Sequence, residues 1–417
     1  MQVAVIGAGY VGLIQAVGLA TIGHDVALAE ADPAKVAKIR AGEPPIYEQG
    51  LAELLSGAVD SGSLTVFQSN ADAVALADIV FLALPTPPLP DGSADVSILD
   101  KVVDELEPVL RPGTVLAIKS TVPVGTVARY LEFLGDRFFV VSNPEFLREG
   151  RAVADFLNPD RIVIGARRHD GAEKMVELYR PLDAPVLVTD PVSAEMVKYA
   201  SNGYLAARVT YANSIANVCE AVGADVRDVL LGMGYDQRIG FSFLRPGPGY
   251  GGSCFPKDTR ALAHIASEAG YPFTLMENVI AVNDAQHVRI LDKVRSAAGS
   301  LQGATIGLWG LAFKAGTDDV RESPAAWLAR RLVLEGASVQ AFDPHARLDD
   351  VAMRGSALEA ATGADVLLLA TEWPEFARVN LRVLAGVMKG KVVVDARNLL
   401  DPVGVRSVGL EYVGVGR

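Results

Sequence analysis

The chain has 417 residues, half of them hydrophobic and 21% charged, with 38 basic against 50 acidic side chains and a formal charge of -12. This is the profile of a folded enzyme of two or three domains, and it excludes a fibre, a disordered tail and a protein whose main partner is nucleic acid. Its two cysteines, Cys219 and Cys254, make no disulfide framework and no metal-ligand spacing, so no metal is expected. No apolar run reaches the roughly 18 residues of a membrane span, and a strand starts almost at Met1, so a cytosolic protein without a signal peptide is expected.

The first element is a short apolar strand, Val3 to Ile6, followed by Gly7-Ala-Gly9-Tyr10-Val11-Gly12 and an apolar helix to about Thr21. Here G-x-G-x-x-G stands between a strand and a helix, the setting its mechanism needs. Gly7 allows the tight turn, Gly9 lets backbone approach a pyrophosphate, and Gly12 lets helix and strand pack closely. Gly23 closes the helix, Asp25 to Ala29 makes a second strand, and Glu30 at its end can hold a ribose diol. A carboxylate there excludes a 2'-phosphate, so NAD is favoured over NADP. A nucleotide-shaped fold without a ligand is the bland alternative.

Alternation continues with strands Asp78 to Leu84, leading into Thr86, and Val115 to Lys119, leading into Thr121. Ligands of open parallel sheets bind beyond the carboxyl ends of strands, which puts both threonines at the cofactor crevice. A strand from Phe138 to Ser142 ends at Asn143-Pro-Glu145-Phe146-Leu147-Arg-Glu149. If a helix starts there, Glu145 and Glu149 share a face and point into the crevice as base, water holder or ribose ligand; a solvated first turn is the alternative.

From about Val192 to Val222 the pattern is one unbroken helix, roughly 45 Å long, and a natural dimer spine and linker. Glu195, Lys198 and Asn202 share a face near its start, where an ammonium and an amide can aim at one oxygen; Cys219 reads as core. Next comes Gly249-Tyr-Gly-Gly-Ser-Cys254-Phe-Pro-Lys257-Asp258, a thiol in a glycine-lined turn at a helix start. Pro256 suits the first turn and Asp258 stands one turn past the thiol, while the helix N-terminus and Lys257 favour thiolate. A buried structural cysteine is the competing reading.

Past Leu301 a second βαβ pattern begins: strand Ala304 to Trp309, a loop Gly310 to Lys314, and Ser323-Pro324 as cap and first residue of a helix. Strands Ser338 to Phe342, Asp365 to Ala370 and Lys391 to Asp395 follow. This unit lacks the glycine fingerprint and carries Lys314, Arg321 and Arg397 instead, which suit a phosphate-bearing substrate. The expected architecture is α/β, two Rossmann-like doubly wound domains joined by a long central helix and a helical dimerisation region. Expected boundaries are residues 1–190 for NAD, 191–295 for the helical part with the Cys loop, and 296–417 for the sugar nucleotide. A thiol between two such units is wanted when an aldehyde must be oxidised again: it forms a thiohemiacetal, then a thioester that water cleaves.

Taken together these motifs, with Ile46-Tyr-Glu, Ser120-Thr-Val-Pro, Lys198-Tyr-Ala-Ser-Asn202 and Phe313-Lys-Ala-Gly-Thr-Asp-Asp319, closely resemble the UDP-glucose 6-dehydrogenase branch of the UDP-glucose/GDP-mannose dehydrogenase family from Met1 to about Leu400. The resemblance implies a four-electron, NAD-dependent oxidation of UDP-glucose to UDP-glucuronate. It implies Cys254 as nucleophile, with Lys198, Asn202, Asp258, Glu145 and Thr121 as the other catalytic residues. By the same likeness Gly7, Gly9, Tyr10, Val11, Gly12, Glu30, Lys35, Thr86, Thr121, Glu149, Lys257 and Arg321 would touch NAD. The sugar nucleotide would meet Glu145, Phe146, Leu147, Glu149, Lys198, Asn202, Phe243, Leu244, Arg245, Gly247, Gly251, Lys314 and Arg397. Arg238 resembles an arginine that reaches the substrate from a neighbouring subunit, which implies a homodimer or higher oligomer. Glu30, Pro85 and Gln49 stand where this family usually has Asp, Gly and Pro; Glu30 is a longer carboxylate that can still bind the diol, and none of the three touches the thiol chemistry. GDP-mannose is the rival substrate; UDP-N-acetylmannosamine is disfavoured by Ser253, where that branch typically has His. A two-electron hydroxyacid dehydrogenase has no use for Cys254, and a silent sensor would have lost it.

Overall fold

The computed structural model describes residues 1–417. Its first sheet has eight strands: β1 (Gln2–Ile6), β2 (Asp25–Ala29), β3 (Leu64–Phe67), β4 (Ile79–Leu82), β5 (Val115–Ile118), β6 (Phe139–Ser142), β7 (Ile162–Ala166) and β8 (Val186–Thr189). They lie in the order β3-β2-β1-β4-β5-β6-β7-β8. Pairing is parallel except between β6 and β7. Continuous apolar runs in β4 and β5 are buried throughout, as central strands covered on both faces must be. Alternate residues feed two cores: Val3, Val5, Ile79 and Phe81 pack with Leu13 and Val17 of the first helix, Tyr10–Thr21, while Ala4, Ile6, Val80 and Leu82 pack on the opposite face. The strand order reverses between β1 and β4, which opens the ligand crevice beyond their carboxyl ends.

The central helix runs from Pro191 to Val222, 32 residues. Ala194, Tyr199, Ala206, Ala212, Ala216 and Cys219 are buried, whereas Tyr204, Tyr211 and Val218 form an exposed stripe at heptad spacing. The second sheet has six parallel strands: β9 (Thr305–Trp309), β10 (Ser338–Phe342), β11 (Ala352–Met353), β12 (Val366–Leu369), β13 (Val392–Asp395) and β14 (Glu411–Val413), in the order β11-β10-β9-β12-β13-β14. The helix Pro324–Leu334 starts as its sequence dictates: Ser323 Oγ accepts from Ala326 N and donates to Leu311 O at 2.6 Å, so the cap also ties down the loop after β9.

Two α/β units joined by a long helix are therefore present as expected. The chain forms two compact units, one of Met1–Ser201 with His264–Gly270, the other of Asn202–Ala263 with Tyr271–Arg417. No helix is long and apolar enough to cross a membrane.

Candidate active site

The turn after β1 is shaped by its glycines. Gly7 has φ 96°, a conformation L side chains rarely adopt, and a Cβ on Gly12 would stand 1.8 Å from Gly7 O, so the helix touches the turn through bare backbone. A Cβ on Gly9 would meet nothing within 4 Å. That open cradle at a helix N-terminus is the place for a diphosphate. Glu30 follows β2 and accepts from Ala8 N at 3.1 Å and Asp32 N at 3.0 Å, so its carboxylate is pinned beside the turn. Thr86 and Thr121 are brought together, the Thr86 hydroxyl donating to Thr121 O at 2.8 Å. Tyr10 donates to Glu48, and burial, followed by that carboxylate, raises its phenol above its usual value. Glu48 also accepts from Gly150 N and Ala152 N, which explains the Ile46-Tyr-Glu motif as a brace for the loop bearing Glu145. Lys35 lies in the helix Pro33–Arg40, whose N-cap is Asp32. Glycine cradle, helix start and pinned carboxylate fit NAD.

No helix starts at Glu145: residues 143–150 are irregular and the next helix is Ala152–Leu157. Pro144 disfavours helical backbone at Asn143, Gly150 is left-handed at φ 80°, and the Glu145 carboxylate accepts from Leu147 N at 2.6 Å. Glu145 and Glu149 therefore do not share a helix face. Instead Glu145 Oε1 meets Lys198 Nζ at 2.7 Å, both side chains buried. Burial pushes the Glu145 carboxyl up, but the Lys198 ammonium, its hydrogen bond, the Leu147 amide and Lys119 outweigh it and hold the group below its usual value. Phe146 carries Arg161 over its ring at 3.6 Å and Lys198 Nζ at 5.6 Å. Glu195, grouped with Lys198 by spacing, binds Gly125 N and Val127 N and fixes the turn after Thr121.

Lys119 is a group that sequence reasoning missed. It directly follows the apolar strand β5, is buried, and bonds Asn143 Oδ1 at 3.1 Å, an oxygen that also accepts from Tyr179. Burial brings its amine down to about 8, with Glu145 opposing the shift and Lys198 adding to it. A lysine directly after an apolar strand is the signal that could have found it.

The helix Phe255–Glu268 begins directly after Cys254, whose carbonyl accepts from Asp258 N at 2.8 Å. Cys254 is thus the residue capping that helix; it is partly exposed, with Sγ 3.5 Å from Ser253 Oγ. Asp258 is buried and accepts from Asn202 Nδ2 at 2.6 Å and from Lys257. A Cβ on Gly251 would stand 2.2 Å from Glu322 O, and one on Gly252 2.8 Å from the Phe313 ring, so only glycine fits before the thiol.

The remaining positions lie in the unit that holds Cys254. Phe243 has φ 61°, Leu244 is buried and Arg245 exposed. Arg397 reaches Ala370 O and Phe313 O and lines Gly247, where a Cβ would stand 3.2 Å from its Nη1. Lys314 lies 5.4 Å from the Phe313 ring centre, Arg321 pairs with Asp319 at 2.7 Å, and exposed Arg238 pairs with Asp236 at 2.6 Å.

Models of one family match along the chain: the NAD binding domain at residues 1–183, the central domain at 192–285 and the UDP binding domain at 307–402 of the UDP-glucose/GDP-mannose dehydrogenase family. A UDP-glucose 6-dehydrogenase of Rhizobium meliloti is 43% identical over all of both chains. Among solved structures, a UDP-glucose dehydrogenase of Pyrobaculum islandicum superposes with TM-score 0.92 at 38% identity, covering 99% of this chain and 97% of that one. A UDP-D-ManNAc dehydrogenase of Pyrococcus horikoshii gives 0.91 at 27% identity, covering 100% and 99%. The chain therefore belongs to the UDP-glucose/GDP-mannose dehydrogenase family, as an NAD-dependent UDP-sugar dehydrogenase.

Proposed function

We propose that this protein oxidises UDP-glucose to UDP-glucuronate, consuming one water and reducing two NAD per sugar. The observation that carries the reading is Cys254 at a helix N-terminus one turn before buried Asp258, itself bonded to Asn202. Identity supports glucose as the sugar: 43% to a relative named for UDP-glucose against 27% to one named for UDP-D-ManNAc.

NAD, when bound, accepts the hydride of each oxidation. The first oxidation turns the C6 alcohol into an aldehyde, its hydroxyl proton passing to a base held in the Glu145 and Lys198 cluster. Cys254 thiolate, favoured by the helix N-terminus, then adds to the aldehyde carbon: a C–S bond forms and the carbonyl π pair moves to oxygen. Lys198 and Asn202 are four residues apart on the helix Pro191–Val222, and in this reading their N–H groups stabilise that oxyanion. Asp258 holds the Asn202 amide in place by taking one of its N–H groups, leaving the other for substrate. The second oxidation leaves a thioester. Water positioned by Glu145 and Thr121 attacks it, the C–S bond breaks, and the thiolate and a carboxylate are released. Arg397 and Lys314 bind the nucleotide phosphates, while exposed Arg238 and the stripe Tyr204, Tyr211 and Val218 suit a homodimer in which one copy's arginine reaches its partner's substrate.

The test is turnover with limiting UDP-glucose and excess NAD, run beside GDP-mannose, UDP-galactose and UDP-N-acetylmannosamine. Two NADH per UDP-glucose are expected; one per sugar, or a clear preference for another donor, overturns the reading.

A further inference from the structure

The backbone between Gly247 and Tyr250 is held by amide side chains, not by other backbone. Asn213, from the central helix, accepts from Gly247 N at 2.8 Å, and Gln286 Nε2 donates to Gly247 O at 2.9 Å. Asn217 donates to the Gln286 carbonyl at 3.0 Å and so fixes which way that amide points. Asn283 takes both polar groups of one residue, accepting from Tyr250 N at 2.8 Å and donating to Tyr250 O at 3.2 Å. Asn213, Asn283 and Gln286 are all buried, and the last two share a face of the helix Thr274–Ala298. Gly249 lies against that row: with φ 117°, its Cβ would come within 2.8 Å of Asn283 Oδ1.

A carboxamide carries an N–H donor and a C=O acceptor side by side, as a peptide unit does. It does so without a charge, so the fit survives burial and does not change with pH. A chain needing only a turn at this place could leave these groups to solvent. Here two helices supply amides to a four-residue run that ends just before the Gly251-Gly252 approach to Cys254.

We propose that Asn213, Asn283 and Gln286 are positioning residues that bracket the Gly247–Tyr250 backbone and thereby fix the curvature with which this loop receives the sugar nucleotide and delivers Cys254. Its substrate readout rests on the UDP-glucose reading above; its geometric readout does not.

The experiment compares the full-length wild type with Asn283→Leu and Gln286→Met. KM for UDP-glucose is expected to rise roughly ten- to a hundredfold, the effect of leaving buried peptide groups unpaired, while KM for NAD stays within about twofold. Hydrogen exchange at the Tyr250 amide in Asn283→Leu is expected to accelerate at least about tenfold over that of the surrounding helices. If Asn283→Leu fails to fold, Asn283→Asp keeps the acceptor for Tyr250 N and deletes the donor to Tyr250 O, and the same rise in KM is expected. Folded variants with wild-type KM and wild-type exchange overturn the bracket, even if they melt at lower temperature, because that is what a merely structural role gives. If the wild type turns over no UDP-sugar, the function reading has failed, and exchange at Tyr250 together with iodoacetamide labelling of Cys254 decides the bracket alone: faster exchange with altered labelling supports it, no change in either sinks it.

Discussion

The two sheets share one winding order and put an acid at the same place, the residue after the second strand wound, yet the two acids do different work. Glu30, after β2, is half-buried and accepts from two backbone N–H groups, Ala8 and Asp32. Asp343, after β10, is fully buried and accepts from Leu311 N, Ala312 N, His345 N, Ala346 N and Trp373 Nε1. One carboxylate keeps lone pairs unused by the protein; the other is saturated and knots together the loops that carry Lys314 and its neighbours. The turns differ in the same sense. Three residues, Gly7 to Gly9, join β1 to its helix, whereas residues 310–323 join β9 to the helix at Pro324 and bring cations instead of an open helix N-terminus. Fold does not name the ligand; the unfilled bonding capacity at the strand ends does.

Substitutions can break this contrast, and the largest effect belongs to the proposed thiol chemistry. Cys254→Ser should lower carboxylate output at least about a thousandfold, since an alcohol in that position forms no thioester, as followed by product chromatography. Next, Asp343→Ala should destabilise the protein by about 3 kcal/mol or more in urea unfolding, because it strands buried N–H groups, while Glu30→Ala should change stability by less than about 1 kcal/mol and raise KM for NAD. Equal stability losses would erase the distinction drawn here. A finer version uses the glycines: Gly12→Ala should lower the melting temperature by several degrees because its Cβ has no room, whereas Gly9→Ala should melt like wild type and lose NAD affinity.

The smallest effects concern pH, and they also separate the units. His287 is pushed down to about 4 by burial, against the pull of Glu322. As pH falls from 6.5 to about 4 the unfolded chain binds a proton that the folded one refuses, so stability falls across that window, and His287→Gln should flatten the loss. Lys119 shows the same sign at alkaline pH. Its desolvation penalty is complete below about 8, where both states are protonated, and is relieved as pH climbs from there toward 10.5, so its contribution to stability rises across that window. Lys119→Met should abolish this rise in chemical denaturation followed between pH 7 and 10.

Much of this was readable in the residues. The Gly7-x-Gly9-x-x-Gly12 turn, the Ser323-Pro324 helix start, the unbroken central helix and the Cys254 turn each state their geometry locally, because backbone freedom, capping and missing breakers act within a few residues. What escaped was set by tertiary contact. Strands β3 and β8 are four residues long, and β8 is an edge strand that exposes Val186, Leu187 and Val188, so no burial pattern marks it. The antiparallel pairing of β7 carries no local signal, and in residues 143–150 Pro144, Gly150 and the carboxylate bond to Leu147 N set an irregular course. Lys119, Asp343 and the amides of the Gly247–Tyr250 bracket read as ordinary polar residues until the groups opposite them are known.

Mass spectrometry of the Cys254 peptide, quenched during turnover with UDP-glucose and NAD, tests the central claim most directly. The account predicts an added hexuronyl-nucleotide mass on that sulfur, present only with both substrates and lost as carboxylate appears. An unmodified peptide throughout, with Cys254→Ser still releasing carboxylate at the wild-type rate, would contradict it.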